Sequence, residues 1–183
     1  MTDITKIALC GKLRSGKDAV GSHLFVHHGF EFPIAFGTAL KSVAHAAFPW
    51  IPRDPKPREL YQLMNVMREF DPDVWIKHLD DTYRHLADQR STTGIVVTDV
   101  RQPNEYEWCR ANGFTIIRVT APEAVRMARA QLRGDDFTAE DMAHSTESYV
   151  DGFDVDYEVE NDGTYDDLKA KVNGIIKRLR PSA

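Results

Sequence analysis

One stretch near the N-terminus constrains this chain more than any other. It reads Gly11-Lys12-Leu13-Arg14-Ser15-Gly16-Lys17-Asp18. Gly11, Gly16 and Lys17 fit the spacing of glycine, four residues, glycine, lysine. An apolar run, Ile4 to Cys10, precedes it. A helical pattern from Lys17 to His27 follows, with Val20 and Leu24 on one side and Gly29 as a stop. In that setting the glycines let the backbone curl until successive N–H groups face one point. Those dipoles, with the N-terminus of the helix, form an anion site. Lys17 then reaches the outer phosphates of a nucleoside triphosphate, with Lys12, Arg14 and Ser15 in the same loop.

The remaining chain keeps the rhythm that such a start implies. Phe30–Phe36 reads as a second short strand, weakened by Pro33. Gly37–Phe48 reads as a helix and Pro49–Pro57, dense in proline, as a loop. Arg58–Glu69 and Pro72–Ala87 read as two helices. Gly94–Asp99 (GIVVTD) is a continuous apolar run ending in a charge, as a central parallel strand reads. A helix over Pro103–Ala111, a strand over Phe114–Thr120, a helix over Pro122–Leu132, a strand over Asp154–Glu160 and a closing helix over Tyr165–Leu179 complete it. Strands alternating with helices predict an α/β fold: a three-layer parallel sheet flanked by helices, in one domain of 183 residues.

Composition removes several function classes. A net charge of −5 argues against a grip on duplex nucleic acid but not against a small phosphorylated ligand. No apolar run reaches the length of a membrane span, and nothing at the N-terminus reads as a signal peptide, so a cytoplasmic location is expected. The two cysteines, Cys10 and Cys109, read as buried free thiols.

Three further groups carry chemistry. Asp18 stands where a hydroxyl residue usually serves Mg²⁺. A carboxylate is also a hard oxygen ligand, and equally an acid favoured in a helix's first turn. Asp99 ends the strongest strand, on the edge where open α/β sheets bind ligands, and is a second candidate for the metal. Arg101, just beyond, suits a bidentate phosphate clamp. Arg126, Arg129 and Arg133 share one helical face, either as a solvated stripe or as charge neutralisers. Asn161-Asp162-Gly163, after the last strand, reads as a turn at the same edge.

Taken together, the chain resembles the deoxynucleoside monophosphate kinases of bacteriophages, a branch of the P-loop nucleotide kinases. The likeness lies in the loop GKLRSGKD, in Ala39-Leu40-Lys41, in LMNVMREFDPDVWIKHL (63–79), TDVRQPNE (98–105) and HSTE (144–147), and in FDVDYEVENDGTYDDL (153–168). Animal-type phosphomevalonate kinases share the Ser-Gly-Lys-Asp loop, and dephospho-coenzyme A kinases are more loosely similar. Gln102 departs from the bulky apolar residue frequent in the family's motif. The resemblance implies transfer of the γ-phosphoryl of ATP, with Mg²⁺, to a small-molecule nucleotide acceptor. Gly11 to Lys17 would cradle the donor phosphates, and Asp18 and Asp99 would serve the metal. Lys41, Arg68, Trp75, Arg101 and Glu105 would line the acceptor side. Lys17, Arg14, Asp99, Arg101 and Arg129 would act on the transferring group. Arg126, Arg129 and Arg133 would be lid or donor-side arginines, and Asn161 and Gly163 would border the adenine. An acceptor-binding insertion is expected over about 37–90, a short lid over about 126–147, and a homodimer through residues 58–87 stays open. So do a different phosphorylated acceptor and a non-catalytic nucleotide switch.

Overall fold

A computed structural model describes residues 4–132 and 145–181. Among the described residues four strands form its sheet: β1 (Thr5–Cys10), β2 (Gly94–Val100), β3 (Thr115–Thr120) and β4 (Tyr157–Glu160). They lie in the order β2-β1-β3-β4, every neighbouring pair parallel. The period-two alternation of a strand divides the core between the two faces of the sheet. Ile7 and Leu9 of β1 pack on one face with α1 (Lys17–His28) and α9 (Tyr165–Leu179), through Val20, Leu24 and Val172. Ala8 and Cys10 pack on the other with α2 (Phe36–Ala47) and α5 (Val74–Ala87), through Phe36, Leu40 and Trp75. Both faces of the sheet are covered, and the expected three-layer α/β architecture holds. Both cysteines are free and buried. Among the described residues no helix is long and apolar enough to cross a membrane.

The remaining helices are α3 (Arg58–Asn65), α4 (Met67–Phe70), α6 (Pro103–Ala111), α7 (Glu123–Leu132) and α8 (Ser145–Gly152). Two expectations need correction. Phe30–Phe36 is not a strand. It runs beside β2 and bonds to it at single points, with Ile34 N–H donating to Val96 O at 3.0 Å and Thr98 N–H to Ile34 O at 3.1 Å. The alternate residues on either side do not extend that ladder: Glu31 rather than Phe32 donates to Gly94 O at 2.8 Å, and Phe36 N–H turns to Asp99 Oδ1 where α2 begins. The single helix expected over Arg58–Glu69 breaks at Val66, whose N–H turns back to Leu63 O at 3.1 Å and closes α3 in a tight turn before α4. Helix α8 is an element that no periodicity had suggested.

Candidate active site

The loop from Gly11 to Lys17 joins the C-terminal end of β1 to α1 and has the backbone that an anion cradle requires. Gly11 and Gly16 stand at φ 143° and 110°. A Cβ at Gly11 would lie 2.2 Å from Val119 O, and one at Gly16 2.2 Å from Asn161 Nδ2. Either substitution would displace backbone or a buried side chain. Arg14 adopts φ 62°, a left-handed turn within the loop. The N-cap of α1 is Gly16, which has no side chain to bond the helix's first N–H groups. Lys17 is buried and its Nζ donates to Gly11 O at 2.7 Å and Lys12 O at 3.0 Å. Ser15 Oγ is buried and without a hydrogen-bond partner. The loop therefore places a cation and a buried hydroxyl at the end of β1.

Behind the loop stand the arginines of α7. Arg126 is buried, its Nη1 3.4 Å from Leu13 O. Arg129 reaches further. Its Nη1 lies 3.4 Å from Arg14 O and 3.5 Å from Ser15 O, and its Nη2 donates to Asn161 O at 3.1 Å and Oδ1 at 3.2 Å. Asn161 is buried, and its Nδ2 donates to Ser15 O at 2.7 Å. Arg129 and Asn161 thus hold the loop's shape by filling its outward carbonyls. Gly163 is exposed just before Thr164, the residue that caps α9.

A cavity of about 390 Å³ opens beside the loop. Arg14 of the loop, Lys41 of α2, Arg68 of α4 and Arg101 beyond β2 line it, as do Trp75, Asp99 and Glu105. The structure therefore brings together every residue expected on the acceptor side. It adds residues that sequence reasoning missed: Lys56, Arg58, Tyr61, Gln62 and Asn65. Arg58, Tyr61, Gln62 and Asn65 recur at i, i+3, i+4 and i+7 of α3, a spacing legible in the sequence but not read there as a polar face.

Both carboxylates in the cavity are already engaged. Asp99 Oδ1 accepts from Phe36 N–H at 2.7 Å and Oδ2 from Gly37 N–H at 2.9 Å, so it caps α2. Glu105 is buried in the first turn of α6. Its Oε2 accepts from Arg101 N–H at 2.9 Å and Gln102 N–H at 3.1 Å, and its Oε1 from Arg68 Nη2 at 2.7 Å. Burial, and then the charge of Asp99, push the Glu105 carboxyl up from its ordinary range, against the pull of its N–H donors and Arg68. Two donors in the cavity wall lack a partner: Arg68 Nε and the indole Nε1 of fully buried Trp75.

Asp18 is exposed in the first turn of α1 and lines neither this cavity nor a second one of about 320 Å³ on the far side of the loop. Gly11, Lys12, Arg118 and Arg126 line the second cavity, and Lys12 forms an ion pair of 2.7 Å there with Asp151. Arg133 and His144 lie outside the described residues, and so does the side chain of Glu147.

A family model described as an AAA domain matches residues 7–143. No curated protein matches the chain. Among solved structures it is similar to an unliganded sugar kinase from Janibacter sp., at 14% identity and a TM-score of 0.63 over 96% of this chain and 95% of that one. It is also similar to shikimate kinase from Acinetobacter baumannii in complex with shikimate, at 13% identity and a TM-score of 0.59 over 98% and 95%. Dephospho-CoA kinase from Campylobacter jejuni follows at 13% identity and a TM-score of 0.53 over 94% and 96%. At these identities the shared property is the fold.

Proposed function

The chain belongs to the AAA domain family, and on that premise we propose that it transfers the γ-phosphoryl of ATP to a deoxynucleoside monophosphate. The products are ADP and the deoxynucleoside diphosphate. The observation that carries this reading is Arg14. It belongs to the phosphate loop and also lines the cationic cavity, so donor and acceptor phosphates share one arginine. A nucleotide switch needs one ligand place. Here there are two, back to back.

The residues fit the donor. The open N–H groups of α1, Lys17 and the partnerless Ser15 Oγ offer several donors to a triphosphate. Fit to Mg²⁺ rests on oxygen chemistry: Asp99 lies beside the loop, and its carboxylate keeps lone pairs for a metal-bound water after capping α2. Asp18 is the other oxygen donor of the loop. Mg²⁺, when bound, neutralises charge on the donor phosphates.

The protein's own part is positioning and charge. A phosphate oxygen of the acceptor forms a bond to the γ-phosphorus as the bond from that phosphorus to the β–γ bridging oxygen breaks. Arg68 and Arg101 hold the acceptor phosphate. Lys17 leaves the loop carbonyls for the transferring group, where negative charge spreads over the equatorial oxygens. The acceptor phosphate is a fair nucleophile near neutral pH, so no strong base is required.

The direct test mixes the protein with ATP, Mg²⁺ and each of the four common deoxynucleoside monophosphates, and measures ADP. Strong stimulation by at least one is expected. ATP binding with no stimulation by any of them would remove this reading in favour of another phosphorylated acceptor or a switch.

A further inference from the structure

Arg14, Arg68 and Arg101 line one cavity, and Glu105 ties Arg68 to the start of α6 where Arg101 lies. The wall made by α3 carries Arg58 and two neutral amides, Gln62 and Asn65, beside the Tyr61 ring. Helix α3 buries Leu60 and packs Met64 against the core, which turns Arg58, Tyr61, Gln62 and Asn65 to the cavity. Its rotation is pinned by His45 of α2, whose Nε2 lies 2.8 Å from Tyr61 Oη.

Neither amide makes a hydrogen bond to another described residue, whereas the cavity's two carboxylates do. Three residues of helix separate them, about 4.5 Å along the axis, which is within the edge of one heterocycle. Trp75 of α5 lines the same cavity, and its buried Nε1–H has no partner among the described residues.

Resting on the kinase reading, we infer that Gln62 and Asn65 read the edge of the acceptor's base. An amide offers a donor and an acceptor and exchanges them by a half-turn about its last torsion. Such a pair matches a carbonyl edge in one orientation and an amino edge in the other. The site therefore requires a base and accepts more than one.

The test compares kcat/KM for the four deoxynucleoside monophosphates with that for 2-deoxyribose 5-phosphate, which has the phosphate and sugar but no base. The wild-type protein is expected to prefer its best nucleotide by about 100-fold or more, and Gln62→Ala and Asn65→Ala each to cut that ratio by about tenfold. Gln62→Glu, nearly the same shape, removes the donor and keeps acceptors. It should reorder the bases, penalising those that present a carbonyl at the contacted edge, which a merely structural role would not do. Normal turnover with the ratio and the order unchanged in all three variants would overturn the inference and leave the kinase standing. Failure of the wild type to use any nucleotide would remove the kinase reading and take this inference with it.

Discussion

Arg129 and Asn161 hold one another and, together, the phosphate loop. The guanidinium of Arg129 spans from Asn161 to the carbonyls of Arg14 and Ser15, and the amide of Asn161 closes on Ser15 O at 2.7 Å. The contact bridges the ends of β4 and β1, which lie on either side of β3 in the sheet. Replacing Asn161 with Ala leaves Ser15 O and one face of Arg129 without partners. A loss of about 1–3 kcal/mol in stability is expected, with weaker ATP binding. Thermal denaturation with and without ATP reads both. An unchanged midpoint and an unchanged ATP affinity would show that the contact contributes nothing.

Lys17→Ala removes the cation that waits on the loop carbonyls. The expected result is a fall of at least about 100-fold in kcat, with the fold intact by circular dichroism. ADP release at saturating ATP is the measurement, and near-normal turnover would end the phosphate-loop assignment.

Arg68 and Glu105 form a buried ion pair that shapes the acceptor end. Arg68→Ala leaves the Glu105 carboxylate buried without its cation and should cost about 3–5 kcal/mol. The double variant Arg68→Ala, Glu105→Gln should recover part of that stability but not the acceptor's KM. If the double variant is as unstable as the single one, the pair is not the source of the loss.

Both thiols should resist alkylation in the folded protein. Burial pushes the Cys10 thiol up to about 11, against the nearby charges of Arg118 and Lys17, and raises Cys109 well above its ordinary value. For Cys10 this lowers the thiolate fraction at pH 8 about 100-fold. A thiol reagent at pH 8 should label two cysteines in guanidinium and neither without it. Rapid labelling of the native protein would contradict the burial.

His23 should make the fold acid-sensitive. It is buried between α1 and α9, with its Nε2 2.7 Å from Asn173 Oδ1. His27 and His28 lie beside it on α1, and Lys169 acts on it from α9. Burial is the main cause of a value below the usual 6.5, opposed by the Asn173 bond. The unfolded chain therefore binds the proton more readily. Stability from this group is present above about pH 6.5 and is lost as pH falls toward the depressed folded value. The melting temperature should drop between pH 7 and pH 5, and His23→Gln should flatten that slope. Equal slopes in the two proteins would assign the drop to other groups.

Much of this was legible in the chain because the signals are local. The loop GKLRSGK marks the end of β1 and the start of α1, and the run GIVVTD marks the end of β2. Arg101 is placed by that edge, and Lys41, Arg68, Trp75 and Glu105 by the resemblance. The rest depends on contacts across the fold. Ile34 sits beside Val97 without belonging to a strand, because the N–H of Phe36 is taken by Asp99 and the pairing stops there. Asp99 reads as a metal ligand in the sequence, and only the position of α2 shows its oxygens on Phe36 and Gly37. Arg129 and Asn161 read as ligand contacts, and their bonds to the loop appear only when the ends of β1, β3 and β4 share one edge of the sheet. The cavity face of α3 was missed because its polar residues look like an ordinary solvated side.

Two of the helices that begin at this edge of the sheet, α1 and α2, begin differently. The N-terminus of α1 is open, while Asp99 plugs that of α2. The donor phosphates therefore meet main-chain N–H groups that every residue carries, whereas the acceptor phosphate meets side chains. A grip written in the backbone tolerates almost no drift at its glycines. One written in arginines, lysines and amides can be rewritten a codon at a time. In a lineage built on this chain, the phosphate source should stay fixed while the molecule that receives the phosphate changes.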